Sequence, residues 1–343
     1  MRPSPLPVAF GVFGVGFALS LPAMLGTGRL LDRVGAGWAI GLTGTVMAGG
    51  LALVGLLPAF PLLVVGVIAF ASGSGAYDVA INGAAMGHGS WSRPARLTLL
   101  HAAFSGGGVA GALAAGALLG SGLDFQAAYP ALAVGLLGTA VLAGSAAWPA
   151  HGDRIGVPRA VAVAMLPLAA LAALAFLAEG SMETWSAIYL RDDLGAVAFV
   201  GALGPAAFHA AMLVGRLIGA GVPGSLGPGV TLLASGTMTA AGMALALLLP
   251  WPAVAIPSMA LAALGASFVV PVVVSLAAGR AGPHAGRAAS YVFTLGYAGF
   301  LIGPSLVGIL GEIAGLRAAL VVVPLAAAII AFASRTKLAR SGV

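Results

Sequence analysis

The apolar residues of this chain fall into blocks of about 20, separated by short runs of Gly, Pro and charge, and about 20 residues is the helix length that crosses a hydrocarbon core roughly 30 Å thick. In lipid every backbone N–H and C=O must be satisfied inside the protein, which leaves helices or a closed barrel. A barrel strand reads as a short alternating segment, and no such segments recur here. With 60% hydrophobic and 7% charged residues, the chain also lacks the charged surface, typically about 25% of residues, that a soluble domain shows. The 53 glycines suit helices that pack closely without a hydrophobic driving force.

The blocks predict helices over residues 7–27, 38–58, 61–86, 97–121, 128–148, 160–190, 197–219, 229–249, 252–278, 286–311 and 316–334, eleven in all. If the loop after the first helix is cytoplasmic, that side collects Arg29, Arg33, Arg93, Arg96, Arg154, Arg159, Arg216, Arg280, Arg287, Arg335, Lys337 and Arg340. The other side keeps only Arg2, Arg191 and Arg317. Positive residues concentrate in the cytoplasm, so the expectation is a multi-pass protein of the plasma or inner membrane with a cytoplasmic C-terminus. The first block runs too long for a cleaved signal peptide and leads into an Arg-Asp-Arg loop. The net charge of +6 comes without a basic run, so nucleic acid is not an expected partner. Cysteine is absent, and no zinc-ligand spacing or Walker-type phosphate loop occurs. No cofactor, metal or enzymatic activity is therefore expected, and an ion gradient or the substrate's own gradient must supply energy.

The chain repeats itself. GRLLDRVG (Gly28 to Gly35) is echoed by GRLIGAGV (Gly215 to Val222), and FSGGGVAGA (Phe104 to Ala112) by GYAGFLIGP (Gly296 to Pro304), at offsets of 187 and 192 residues. Duplicated bundles with a substrate site between them are a recurrent transporter plan. The expected domains are an N-terminal bundle over 1–150, a cytoplasmic linker over 151–159 and a C-terminal bundle over 160–343.

Gly28, Asp32, Arg33 and Gly35 resemble the Gly-x-x-x-Asp-Arg-x-Gly signature of the major facilitator superfamily, although Ala36, Gly37 and Trp38 stand where basic residues usually follow. SGAYDVAINGAAM (Ser74 to Met86), followed by LLHAAFSGGGVAGA, is similar to helices 4 and 5 of its fucose-permease-like branch. AEGSMETWSAIYL (Ala178 to Leu190) is similar to helix 7 of transporters in that branch, with Thr184 in place of the acidic residue that precedes the Trp. The resemblance implies an all-α major facilitator fold of two pseudo-symmetric bundles. It also implies that the first block corresponds to helix 2 of the family, leaving helix 1, which in the relatives contributes an acidic coupling residue, without a counterpart. A start placed too late accounts for this, or else a natural truncation completed in a homo-oligomer. By the same resemblance Asp32 and Arg33, with Gly28, Gly35 and Arg216 of the echo, form a cytoplasmic conformational latch; the alternative for the loop charges is that they only set topology.

Asp78 lies within a span, where a carboxylate costs roughly 2.5–3.5 kcal/mol and usually faces a cavity or a partner. It is a proton-coupling candidate, with Asn82 one turn on as a hydrogen-bonding neighbour; anchoring of helix packing is the other reading. His101 and His209 read either as relay groups or as histidines satisfied within their helices. Glu179 and Glu183, one turn apart and followed by Trp185 and Tyr189, suit binding of a cation or sugar, against an aromatic belt at the membrane interface for the two rings. The resulting expectation is a proton-coupled secondary transporter of a small polar solute working by alternating access. Its alternatives are efflux of amphipathic compounds and a non-transporting sensor or scaffold.

Overall fold

The structure, a computed structural model, describes residues 6–56, 59–87, 94–122, 125–146, 148, 158–219, 226–281 and 284–336. Residues 151–157 of the expected linker, and Arg2, Arg93, Arg154, Lys337 and Arg340, lie outside the described residues, as do the side chains of Arg96 and Arg287. Every regular element among the described residues is helical: α1 (Leu6–Leu56), α2 (Phe60–Gly87), α3 (Pro94–Gly120), α4 (Phe125–Ser145), α5 (Arg159–Ile188), α6 (Ala198–Gly219), α7 (Pro228–Leu248), α8 (Pro252–Ala266), α9 (Val269–Arg280), α10 (Ala285–Ala314), α11 (Leu316–Ala319) and α12 (Val322–Ala333). A single π-turn, Tyr189–Asp193, extends α5. This is the expected all-α membrane architecture, and it makes the chain a multi-pass membrane protein.

Among the described residues ten helical segments are long and apolar enough to span a bilayer. The expected helices 7–27 and 38–58 have become the two legs of α1, interrupted only at Gly35 with φ 80° and ψ 167°, so they count as one segment where eleven were expected. That conformation is closed to residues with a Cβ, so the last glycine of the signature is a backbone requirement. Gly227, at φ 74° and ψ 157°, repeats it at the start of α7, 192 residues on. Gly122 and Gly315 form a second such pair, 193 residues apart with φ of 79° and 84°. The repeat thus survives as backbone geometry.

Proline positions explain two further divisions. The expected helix 252–278 is split into α8 and α9 at Ser267 and Phe268 because Pro271 has no N–H for the Ser267 carbonyl four residues earlier. Pro324 stands in the same relation to Leu320, between α11 and α12. Pro205 and Pro304 remain inside α6 and α10.

The chain forms two compact units. Unit 1 comprises Met1–Leu97 and Ser121–Arg154, and unit 2 comprises Thr98–Gly120 and Ile155–Val343. In unit 1, α1 and α2 approach so closely that a Cβ on Gly50 would meet the backbone of Phe70, and one on Gly73 the backbone of Met47. Small residues are what allow such contact where lipid offers no drive for association. Leu31, Ala36, Ala39, Ile40, Ala80 and Ala84 form the core beside it.

Unit 2 is centred on α5. Met165, Leu168, Ala172 and Ala175 recur at helical spacing and bury against Leu232 of α7, Val269, Val272 and Val273 of α9, Val292 of α10 and Ile330 of α12. Across its middle α5 meets α10 through Gly296, Gly299 and Gly303, where any Cβ would strike Ala172, Ala173 or Leu177. Pro304 leaves the Phe300 carbonyl without its helical donor, and Gly180 of α5 sits directly against that oxygen.

The far end of α7 shows a related solution. Pro250 cannot donate to the Ala246 carbonyl, and the Trp251 N–H is turned to Leu249 instead of Leu247. The Tyr189 hydroxyl donates to Ala246 O at 3.0 Å and Arg317 Nε to Leu247 O at 2.8 Å.

Candidate functional site

Unit 2 holds His101, Glu179, Glu183, Trp185, His209 and Arg216 of the residues singled out from sequence. Glu179 and Glu183 project from one face of α5 because they are a turn apart. His209 and Arg216, two turns apart, do the same on α6. The two helices run antiparallel, so the pairs form two rungs: Glu183 Oε1 lies 3.8 Å from His209 Nε2, and Glu179 Oε2 lies 3.5 Å from Arg216 Nη2. The side chains of Glu179 and Arg216 are only 6% and 14% exposed, so this pair is buried, whereas Glu183 keeps 28%.

The third wall is α3. Arg216 Nη1 donates to the His101 carbonyl at 3.0 Å and to Ser105 Oγ at 2.7 Å, so one guanidinium ties α3 to α5. Gly108, two turns beyond His101, faces His209, and a Cβ there would collide with the imidazole. Phe104 and Phe208 meet the same imidazole edge-on at 5.7 and 5.1 Å. Held in this way, His209 has its Nδ1 buried without a hydrogen-bond partner, as are the hydroxyls of Ser181 and Ser186. Buried orphans of this kind cost about 1–3 kcal/mol each unless something fills them.

Beside the charged rungs lies a cluster of rings. Phe176, one turn before Glu179, contacts Phe293, Tyr297 and Phe300 of α10 at 5.4, 5.5 and 6.5 Å, Tyr297 stacks on Phe300 at 5.4 Å, and the His101 ring approaches Phe293 at 5.9 Å.

Other residues fall elsewhere. In unit 1, Asn82 Nδ2 donates to the Asp78 carboxylate at 3.0 Å and to its carbonyl at 2.9 Å, with both residues half-buried in α2. Gly28, Asp32, Arg33 and Gly35 lie in the first leg of α1 and at its break, the two charges exposed. Arg216, grouped with them by the repeat, is the hub of the α3–α5–α6 network. Trp185 donates its indole N–H to the Pro304 carbonyl of α10 at 3.0 Å. Tyr189 is committed to α7. Ser105, Tyr297 and Phe300 fall in the repeated segments FSGGGVAGA and GYAGFLIGP but, like Phe293, were not singled out, since a lone serine and scattered rings are ordinary in apolar helices. Among the described residues no group of three or more His, Asp or Glu is placed to hold a metal ion.

No family model matches the chain. An MFS-type transporter of Yersinia pestis is 31% identical over 312 residues, 89% of this chain and 79% of the relative. A transporter of Sinorhizobium fredii is 30% identical over 341 residues, 94% of this chain and 87% of its own length. Among solved structures, the major facilitator transporter FucP, the fucose:proton symporter of E. coli, superposes with a TM-score of 0.65 over 98% of this chain and 90% of its own, at 18% identity, a likeness of fold. With that fold, and with a relative of this identity matched over most of its length, the chain belongs to the major facilitator superfamily of transporters.

Proposed function

We propose that the protein is a proton-coupled secondary transporter that moves a small polar solute by alternating access, with the Glu179–Arg216 pair as its coupling element. The observation that carries this reading is a carboxylate 6% exposed, within a membrane helix, 3.5 Å from an arginine that also holds α3. Ionisable groups at such positions are costly and mark ion or substrate paths. A proton on Glu179 removes the charge that draws Arg216 toward α5 and leaves the guanidinium on the His101 carbonyl and Ser105. Loss of the proton draws it back. Protonation is thereby converted into a change in how tightly α3, α5 and α6 are held together. The name of the FucP neighbour, a fucose:proton symporter, supports the same direction.

Asp78, with Asn82 bonded to it, is proposed as a second coupling or binding group on α2. The bundles 1–150 and 160–343 are proposed as the moving halves joined by the linker 151–159. The charge asymmetry supports placement in the plasma or inner membrane with a cytoplasmic C-terminus.

The test uses reconstituted protein and the solute that most raises its thermal stability in a screen of sugars, acids and drugs. Glu179→Gln should abolish accumulation driven by an imposed pH gradient while leaving counterflow exchange. Undiminished accumulation by that variant would show that Glu179 is not the coupling group.

A further inference from the structure

The three contacts of the Arg216 guanidinium are unequal. Its bonds to α3, 2.7 Å to Ser105 Oγ and 3.0 Å to the His101 carbonyl, have ordinary hydrogen-bond lengths, whereas Glu179 Oε2 stands at 3.5 Å. An ionised N–H···O⁻ contact usually closes to about 2.7–2.9 Å, so the carboxylate, the strongest acceptor of the three, is held off by roughly 0.6 Å or more. The guanidinium is drawn toward neutral oxygens at the expense of opposite charge. What brings those oxygens within reach is the pairing of α3 with α6. The two helices run antiparallel, with Ser105 against Arg216, Gly108 against His209, Gly116 against Ala202 and Gly120 against Phe199. A Cβ on Gly108 or Gly116 would overlap α6, so the glycines let α3 lie close enough to deliver Ser105, itself fully buried, to the guanidinium.

The ionisable groups around the Glu179–Arg216 pair are Glu183 on α5 itself, His209 on α6, the His101 ring on α3, which lies beside Phe293, and Tyr297 on α10, which lies against Phe176. Helices α7, α8 and α12 contain no ionisable residue, and α9 only Arg280 at its last position. Of the carboxylates and imidazoles in this set, Glu179 is the one bonded to the same guanidinium as Ser105.

We propose that Ser105 is a positioning residue that competes with Glu179 for the Arg216 guanidinium and thereby sets how firmly Glu179 holds its proton. The inference rests on the coupling reading of the Glu179–Arg216 pair and adds the group that opposes it. With Glu179 protonated, the guanidinium depends on its two α3 oxygens, and loss of the Ser105 hydroxyl leaves a buried charge short of an acceptor. With Glu179 ionised, the same loss frees the guanidinium to close on the carboxylate, which offsets much of the cost. Removing the hydroxyl therefore penalises the protonated form more than the ionised one. A serine that only fills space between α3 and α6 would cost the same in both.

The test is equilibrium unfolding of the full-length protein in mixed micelles from about pH 5 to about pH 9, which needs no solute. Ser105→Ala should shift the folding equilibrium against the native state by about tenfold at the acid end and by less than about threefold at the alkaline end. In a Glu179→Gln background the cost should stay near tenfold at both ends, and in a Glu183→Gln background the pH dependence should persist. Ser105→Thr, which keeps the hydroxyl, should show no pH-dependent cost. Ser105→Cys, close in size and a weaker acceptor, serves the same comparison if Ser105→Ala is not recovered. A cost that is equal at both ends, or a pH dependence that survives Glu179→Gln, would overturn the proposal. An equal cost together with loss of gradient-driven accumulation in Glu179→Gln removes Ser105 and leaves the coupling reading standing. The expected pH dependence together with undiminished accumulation in Glu179→Gln does the reverse.

Discussion

Replacing Arg216 by methionine, which keeps most of the side-chain length and none of the charge, isolates the energy of the buried pair. The guanidinium makes hydrogen bonds of 2.7 Å to Ser105 and 3.0 Å to the His101 carbonyl and a 3.5 Å ion pair with Glu179. Its removal strands a carboxylate that is 6% exposed. Breaking one side of a buried pair costs about 3–5 kcal/mol, whereas replacing both partners by apolar groups of similar volume is often close to neutral. Taking the lower figure, because the His101 carbonyl keeps its helical environment, Arg216→Met should destabilise by about 3 kcal/mol, roughly a hundredfold in the folding equilibrium. Glu179→Leu combined with Arg216→Met should return to within about 1 kcal/mol of the wild type. Equilibrium unfolding of purified protein in mixed micelles, run as a double-mutant cycle with Glu179→Leu alone, reads the coupling directly. A cost under about 1 kcal/mol for Arg216→Met, or a double variant as unstable as that single one, would refute the idea that the pair is buried and mutually dependent.

The glycines divide into two kinds that substitution separates. Gly35→Ala and Gly315→Ala, at φ of 80° and 84° with ψ of 167° and 154°, should each cost about 3 kcal/mol, whereas Gly49→Ala, helical with open space around it, should be neutral or stabilising by up to about 1 kcal/mol in the same unfolding assay. Tyr189→Phe leaves the Ala246 carbonyl without its donor and should lower stability by about 1 kcal/mol, while Trp fluorescence and secondary structure stay unchanged.

The spans were legible because the bilayer fixes both the length and the apolarity of a crossing helix, and the helices fall where 20-residue blocks stand. What escaped was anything depending on which face of a helix meets which neighbour. In a soluble helix the buried stripe announces itself against a polar face. In α10 the rings stand among other apolar residues, and although Tyr297 and Phe300 fall in the GYAGFLIGP repeat, nothing in the sequence says which neighbour they meet. Glu179, Glu183 and His209 stood out because charge is rare in a span, but their pairing did not, since α6 faces α5 in antiparallel register only once both are folded. The repeat places Arg216 in the expected cytoplasmic latch, and nothing in it foretells that the side chain bonds to the His101 carbonyl, Ser105 and Glu179. The division of α8 from α9 was readable in principle: Pro271 marks the break four residues ahead of itself, not at its own position.

The Tyr189 hydroxyl and the Arg317 guanidinium do more than finish a helix. They fasten the end of α7 to the π-turn that closes α5 and to the short α11, at the one point where Pro250 leaves carbonyls open. Separating those elements would open the Ala246 and Leu247 carbonyls together, so the two contacts hold the corner as one. The Arg216 contacts differ in kind: a side chain shared among α3, α5 and α6 can exchange partners without leaving a helix-end carbonyl open.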